Sequence, residues 1–439
     1  MFSIFGLSQN WMSLLVLLAL IAAIWIFDRK NFKRDGIVFM RRTQRGLIFI
    51  NDFAKKHEKF WKKFGSAGVM MSFGAVGVAY VLATQKKKYM AKAAAAFAIA
   101  FAALQFVMVP LAAAFTAFLG GSGVLIMQLV MGVADIFTKK ITASPIQFVL
   151  PVQTTAAPVF YVPIDFWLIS IFVIVVVHEF SHAFVSRAEN IRVKSIGYGF
   201  MALIPLGFAE PDEAQLKKAE SIKKTRVFAA GSLSNIITGA ISALLLLLIA
   251  FIASALFLPA GVNYGSTLPG TPAYGILPPN GTITGINGNN ISTTNDMAEL
   301  LANISAGSKI SLVVGGKDYE ITTIPKDNST KAFMGVSGLT NHLEPKKQYS
   351  NYVGDTFLGV ISWLISLLQM LFMLNVGIGL VNILPIKPLD GGLIFEEISK
   401  TFWPKSWKKV YGTVALTVLG LFLLNFFGVY IMKVVSAVF

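Results

Sequence analysis

The sequence contains no cysteine. Disulfides, thiolate zinc sites, iron–sulfur clusters and cysteine nucleophiles are therefore excluded together. Charge is also scarce: 14 % of the 439 residues are Asp, Glu, Lys or Arg, against about 25 % in an ordinary soluble domain. Histidine occurs four times, which leaves few imidazoles for any metal. What abounds is apolar, since 55 % of the chain is hydrophobic, above the roughly 45–50 % of soluble domains. A soluble globular class is excluded on this balance. The surplus of 38 Lys and Arg over 22 Asp and Glu, a net +16, is expected to meet membrane lipid with anionic headgroups, and no nucleic acid partner is expected.

A helix needs about 20 apolar residues to cross a hydrocarbon core. Eight stretches qualify: 11–27, 65–84, 91–119, 124–137, 166–185, 228–258, 356–380 and 410–432. The expected fold class is an all-α polytopic membrane protein of about eight transmembrane helices with an inserted α+β domain. The first stretch does not read as a cleaved signal peptide, because its positive charges follow the apolar run. Lys and Arg mark the cytoplasmic side of short loops. Segment 28–63 holds 12 basic and four acidic residues, 187–226 eight and five, and 386–409 five and three. Placing all three inside lets eight spans alternate from an outside N-terminus and leaves 261–345 outside. Lys86, Lys87 and Lys88 stand against this arrangement for spans two to four.

Segment 261–345 is polar and rich in Asn, Ser, Thr and Gly, and all four N-x-[ST] sequons fall in it, at Asn280, Asn290, Asn303 and Asn328, which fits an outside location. Residues 281–291 alternate apolar and polar and turn at Asn287-Gly288, a hairpin pattern. Residues 295–304 space Met297, Leu300, Leu301 and Ile304 as a helix, with Asn295 or Thr294 as its cap. Two further strands are expected at 309–314 and 317–324, around Gly315-Gly316. This order resembles a PDZ domain of the type attached to bacterial and archaeal proteases. The resemblance implies that a peptide or substrate tail is taken up as an added strand.

Two of the four histidines lie together in His178-Glu179-Phe180-Ser181-His182, at the end of an apolar run. Residues i and i+4 share a helix face, so both imidazoles can reach one ion while Glu179 stands beside the position left to water. At about 1.5 Å per residue, His178 lies roughly 13 Å and His182 roughly 7 Å short of Arg187, where the basic loop begins. The metal is thus expected inside the bilayer, nearer the cytoplasm. A catalytic zinc takes three protein ligands and keeps a fourth position open. His57 lies in the first basic loop and His342 in the outside segment, so an acidic third ligand is expected. Asp135, Asp165 and Asp355 fall near the outside ends of their spans. Asp390 follows span seven in Asn382-Ile-Leu-Pro-Ile-Lys-Pro-Leu-Asp390-Gly-Gly392, where Pro385 and Pro388 stop the helix, and emerges on the cytoplasmic side. Glu396 or Glu397, just beyond, is the alternative.

At these residues the chain resembles the site-2 protease family of intramembrane metalloproteases, from about residue 166 onward. The match consists of the H-E-F-S-H span, the N-x-x-P-x-x-x-x-D-G motif at Asn382, Pro385, Asp390 and Gly391, and the PDZ-like segment between them. The resemblance implies one Zn2+ per chain held by His178, His182 and Asp390, with Glu179 as general base. It implies a substrate-binding group of Asn382, Pro385, Gly391 and Asn235. Asn235 closes Gly231-Ser-Leu-Ser-Asn235, which fits the family's Gly-x-x-x-Asn motif with Ser232 where Pro is frequent. Segment 195–212 is too apolar for a free loop and too broken by Gly and Pro for a span; by resemblance it is a hairpin-like element that dips into the membrane and pairs with an unwound substrate.

The function implied is cleavage of a transmembrane protein substrate within or near its membrane segment, as in regulated intramembrane proteolysis. A membrane scaffold, or a transporter with a structural metal site, is the non-enzymatic alternative. The expected organisation is an N-terminal set of membrane helices (1–160) with its basic loop, a first catalytic part (161–260), the PDZ-like domain (261–345), and a second catalytic part with the last span (346–439).

Overall fold

The apolar runs fold as long helices in the computed structural model, which describes residues 9–85, 110–138, 144–152, 158–201, 204–325, 331–350 and 352–438. The chain begins with α1 (Gln9–Asp28), strands β1 (Phe32–Asp35) and β2 (Val38–Thr43), and helices α2 (Leu47–Lys56), α3 (Glu58–Gln85) and α4 (Pro110–Phe137). A short parallel pair, β3 (Phe148–Leu150) and β4 (Val159–Tyr161), leads into α5 (Ile164–Ala188). Next come β5 (Val193–Met201), β6 (Ile204–Pro211), α6 (Glu213–Lys218) and α7 (Ser221–Leu256). The inserted segment holds β7 (Phe257–Tyr264), β8 (Ser266–Thr267), β9 (Gly281–Ile286), β10 (Asn289–Asn290), α8 (Thr294–Ala302), β11 (Lys309–Val314) and β12 (Lys317–Thr322). It ends with β13 (Ile324–Pro325), β14 (Ala332–Phe333), β15 (Val336–Ser337) and β16 (Thr340–Pro345), before α9 (Asp355–Asn382), α10 (Asp390–Phe402) and α11 (Trp407–Val438).

Among the described residues six helices are long and apolar enough to cross a membrane: Glu58–Thr84, Phe118–Phe137, Ile164–Ala188, Ser221–Leu256, Thr356–Asn382 and Trp407–Val435. They coincide with six of the expected spans. Helix α1 covers the stretch expected at 11–27; of the span expected at 91–119, residues 91–109 lie outside the described residues and 110–119 form the start of α4. The gap expected before residue 124 is a break inside one helix. Gly120 takes φ 60°, ψ −143° and the helix resumes after it; α3 is broken likewise at Gly74, φ 52°, ψ −132°. A Cβ on Gly120 would lie 2.4 Å from Gly74 N and Met71 O, so the two breaks meet where only glycine fits.

The chain divides into two compact units, Met1–Leu244 with Leu367–Phe439, and Leu245–Ser366. In the first, β5 and β6 pair antiparallel as the expected hairpin, in a four-stranded sheet ordered β1-β2-β5-β6. The first basic loop, placed by its charge on the cytoplasmic side, supplies half of this sheet. Charged residues dominate β1 and the end of β2 and mask their alternation, yet Phe32 and Phe39 join Trp25, Tyr198 and Phe200 in one aromatic cluster. Cations of this loop are paired within the protein, Arg41 with Asp28 at 2.8 Å, Arg42 with Glu210 at 3.3 Å and Lys62 with Glu58. Helix α3 lies tight on α7: a Cβ at Gly65 would fall 2.6 Å from Arg226 Cβ, and one at Gly68 2.8 Å from Ala229 O. Arg226 in turn donates to the buried Glu189 (2.7 Å) and to Ser66 Oγ (2.8 Å). The glycines of the second span are thus contact points for the helix that flanks the histidines.

In the second unit an antiparallel sheet runs β12-β11-β9-β7-β16 over a core of Val262, Ile283, Ile286, Ile310 and Leu312. Full burial of each such side chain contributes about 1.5–3 kcal/mol. Asn287 and Gly288 both take positive φ between β9 and β10, as a two-residue hairpin turn requires. The cap of α8 is Thr293, one residue before Thr294 and two before Asn295, the expected caps. Four consecutive residues from Ser292 could cap, and the reciprocal bonds select Thr293: its Oγ1 accepts from Asp296 N (3.1 Å) while Asp296 Oδ2 accepts from Thr293 N (2.8 Å). Bonding from the Thr293 side chain, then from the Thr293 and Ser292 amides, holds the Asp296 carboxyl below its ordinary value of 3.8. A depressed carboxylate stabilises the fold above the unfolded value and loses that contribution as pH falls through the folded one. The protection of the first-turn amides of α8 against hydrogen exchange, taken relative to their intrinsic rates, is therefore expected to fall below about pH 4, and Asp296→Asn should flatten that dependence.

Candidate metal centre

Helix α5 presents His178 and His182 one turn apart, their Nε2 atoms 3.1 Å from each other. Asp390, distant in sequence, reaches both: its Oδ2 lies 3.3 Å from His178 Nε2 and 3.4 Å from His182 Nε2. The turn between α9 and α10 makes this approach. Ile383 and Leu384 are fully buried, and the bonds Ile386 N to Leu384 O (2.7 Å) and Leu389 N to Ile386 O (2.9 Å) reverse the chain. Helix α10 then starts directly against the turn. A Cβ at Gly391 would lie 2.2 Å from the Ile383 carbonyl carbon, and one at Gly392 2.4 Å from that of Ile386.

Three donor atoms separated by 3.1–3.4 Å match a tetrahedral zinc site, in which ligands at about 2.0–2.1 Å stand about 3.3 Å apart. Asp390 Oδ2 is buried and, apart from the two imidazoles, has no donor beside it, so the group has an acceptor directed at its centre. The residues therefore fit a divalent metal of the zinc type, with two imidazoles and a carboxylate as its protein ligands.

Glu179 points to the neighbouring sheet, where Ala209 N of β6 donates to its Oε2 at 2.7 Å. The strand lies close against α5 because Gly207 has no side chain: a Cβ there would fall 2.1 Å from Val175 Cγ1. From the other side α7 contributes three groups. Val227 O accepts from His182 Nδ1 at 2.7 Å, the Asn235 amide lies 3.1 Å from His178 Nδ1, and Gly231 sits between, under both rings.

His178, His182, Asp390 and Asn235 are thus brought together, with Glu179 at the sheet edge beside them. Asn382 is the last residue of α9 and Pro385 lies buried in the turn; they supply no donor to the three-atom group, and Gly391 acts by its lack of a side chain. The alternative glutamates are occupied by lysines. Glu396 pairs with Lys387 (2.5 Å) and Lys400 (3.2 Å), and Glu397 with Lys400 (3.0 Å), Lys224 (3.7 Å) and the Ser221 hydroxyl. His57 packs on Phe53 and His342 faces Glu344 at 3.7 Å. The contributions of Val227 and Ala209 come from backbone atoms, which no residue type announces. The four-residue spacing of Val227, Gly231 and Asn235 is the one signal that could have marked that face of α7.

Several apolar helices with a His-His-Asp group of this shape define a multi-pass membrane protein with a candidate metal centre among its helices. Residues 166–426, more than half of the chain, match the model of Peptidase family M50, and the chain belongs to this family, the site-2 protease family. A relative from Arabidopsis thaliana, a membrane-bound transcription factor site-2 protease homolog, is 25 % identical over 191 residues, which cover 41 % of this chain and 35 % of that protein. The chain thus spans about a third of the length of this curated relative.

Proposed function

We propose that the protein is an intramembrane zinc endopeptidase that hydrolyses a peptide bond within or near the transmembrane segment of a membrane protein. The observation that carries this reading is the convergence of His178, His182 and Asp390 within 4.8 Å of one another, beside Glu179 and on apolar helices. A zinc ion held by those three residues would supply Lewis acidity and lower the pKa of a water molecule. Glu179 takes the proton from the attacking water and delivers it to the leaving amine. The Ala209 N–H orients its carboxylate and stabilises the anion that must act as base. Strand β6 ends the sheet, so its outer edge can take an unwound substrate as an added strand next to that base. Unwinding is required because a helical peptide bond is shielded by its own turns.

In the same reading the antiparallel sheet and α8 of the inserted segment form a PDZ-like domain, 261–345, that receives a substrate tail. Counting α1 and the stretch 91–119 gives eight spans, with the insert outside and the metal centre toward the cytoplasm. The charge balance of the three basic segments supports that orientation. Asn382 and Pro385, on the chain leading to Asp390, are assigned to the substrate side.

Zinc content separates this reading from its chemical rival. Detergent-purified Asp390→Ala is expected to lose bound zinc and cleavage of a reconstituted single-span substrate, whereas Glu396→Ala with Glu397→Ala keeps its zinc. The reverse result would transfer the third ligand to α10's glutamates.

A further inference from the structure

We propose that Asn235 is a positioning residue for His178, and that the face of α7 formed by Val227, Gly231 and Asn235 is a template that fixes both imidazoles with Nε2 bare. The proposal rests on the metal-site reading and replaces the substrate-binding role that the motif resemblance implies for Asn235.

The template follows from spacing. Helices α5 and α7 run antiparallel here, so that His182 meets Val227 and His178 meets Asn235. Positions 227, 231 and 235 are four apart and share one helix face, as do 178 and 182. Gly231, in the middle, lies so close that a Cβ would fall 2.5 Å from His182 Nε2 and 2.6 Å from His178 Nε2. Ser234 beside it ties the two helices, donating to Val177 O at 3.0 Å.

The hydrogen-bond roles then follow from donor chemistry. A carbonyl oxygen only accepts, so His182 Nδ1, 2.7 Å from Val227 O, carries a proton, and in the neutral ring that binds a metal Nε2 is then the nitrogen with the lone pair. His178 can face the same centre with a bare Nε2 only if its Nδ1 also donates. The Asn235 amide is 3.1 Å from that nitrogen. With Nδ2 toward His178, the amide leaves Oδ1 buried and without a partner. Turned over, it presents Oδ1 as the acceptor for the His178 Nδ1 proton. The outer partner of a metal-binding imidazole commonly fixes its tautomer and ring plane in this way.

Burial argues against direct substrate contact. Asn235 is 0 % exposed, and α9 closes behind it, where a Cβ on Gly379 would stand 3.4 Å from Asn235 Cβ. The side chain is enclosed by the helices and has no surface to offer a bound strand.

The test measures zinc affinity of the purified full-length chain by competition with a chromophoric chelator, together with the visible absorption of the Co2+-loaded form. Asn235→Ala is expected to weaken zinc about 10–100-fold and to change the Co2+ spectrum. Asn235→Asp, which keeps an acceptor at the same reach, should restore both. If Asn235→Ala does not fold, Asn235→Gln moves the amide by one methylene and is expected to show the same loss. Wild-type affinity in Asn235→Ala or Asn235→Gln would overturn the proposal, as would an Asn235→Asp chain as weak as Asn235→Ala. Asp390→Ala separates the two levels. Zinc that Asp390→Ala leaves unchanged removes the metal-site reading itself, whereas zinc that depends on Asp390 but ignores Asn235 removes only the template.

Discussion

Gly231→Ala is expected to strip the metal centre and abolish cleavage, although it adds a single methyl group. In most helix interiors this substitution stabilises, because alanine is favoured over glycine by about 1 kcal/mol. Here the new carbon would lie 2.5–2.6 Å from three imidazole atoms of His178 and His182, well inside van der Waals contact. The rings cannot yield separately, since His182 is bonded to Val227 O and His178 lies against the Asn235 amide, both on α7 itself. Relief requires α7 to move away from α5, against the Ser234 to Val177 bond and the Arg226 to Glu189 pair. Overpacking of this kind costs about 1–3 kcal/mol, and it falls on the donor atoms. The measurement is the zinc-to-protein ratio of membrane-extracted Gly231→Ala beside a melting curve. A full complement of zinc would mean that the rings do not meet the metal at this face of α7.

The centre was legible in the sequence to the extent that it depends on side-chain identity and helical period. His178 and His182 announce themselves by i,i+4 spacing, and Asp390 by the prolines that end a span beside it. The Asn287-Gly288 turn and the strands around Gly315-Gly316 were likewise carried by local chemistry. What escaped depends on partners far away in the chain. Strands β1 and β2 are held in place by β5 and by rings from α1 and β5, so their charge-rich pattern alone did not define them. Gly120 read as the end of a span because glycine permits either a loop or a break; its contact with Gly74 decides for a break. The groups that orient the histidines and the glutamate include the backbone atoms of Val227 and Ala209, invisible until the helices and the sheet are assembled. Asn235 was visible as a motif residue, but its burial against His178 was not.

Glu179→Gln is expected to bind zinc as the wild type does and to lower cleavage by about 10²–10⁴-fold, the usual contribution of a positioned acid–base group. The substitution separates two functions of one side chain. Glu179 Oε2 accepts from Ala209 N at 2.7 Å, a bond that a glutamine carbonyl oxygen can also accept, so β6 should remain against α5. What glutamine cannot do near neutral pH is take up a proton. Glu179→Ala removes both functions and is expected to expose the β5–β6 hairpin to protease as well as to stop turnover. Initial rates on a reconstituted single-span substrate, at equal zinc content, with limited proteolysis of the hairpin alongside, make the comparison. Glu179→Gln activity within tenfold of wild type, with the hairpin protected, would assign Glu179 to anchoring the sheet edge and leave proton transfer to another group. A large loss of rate with zinc and hairpin unchanged would assign it to the reaction, because every contact the side chain makes in the resting structure would then have been preserved.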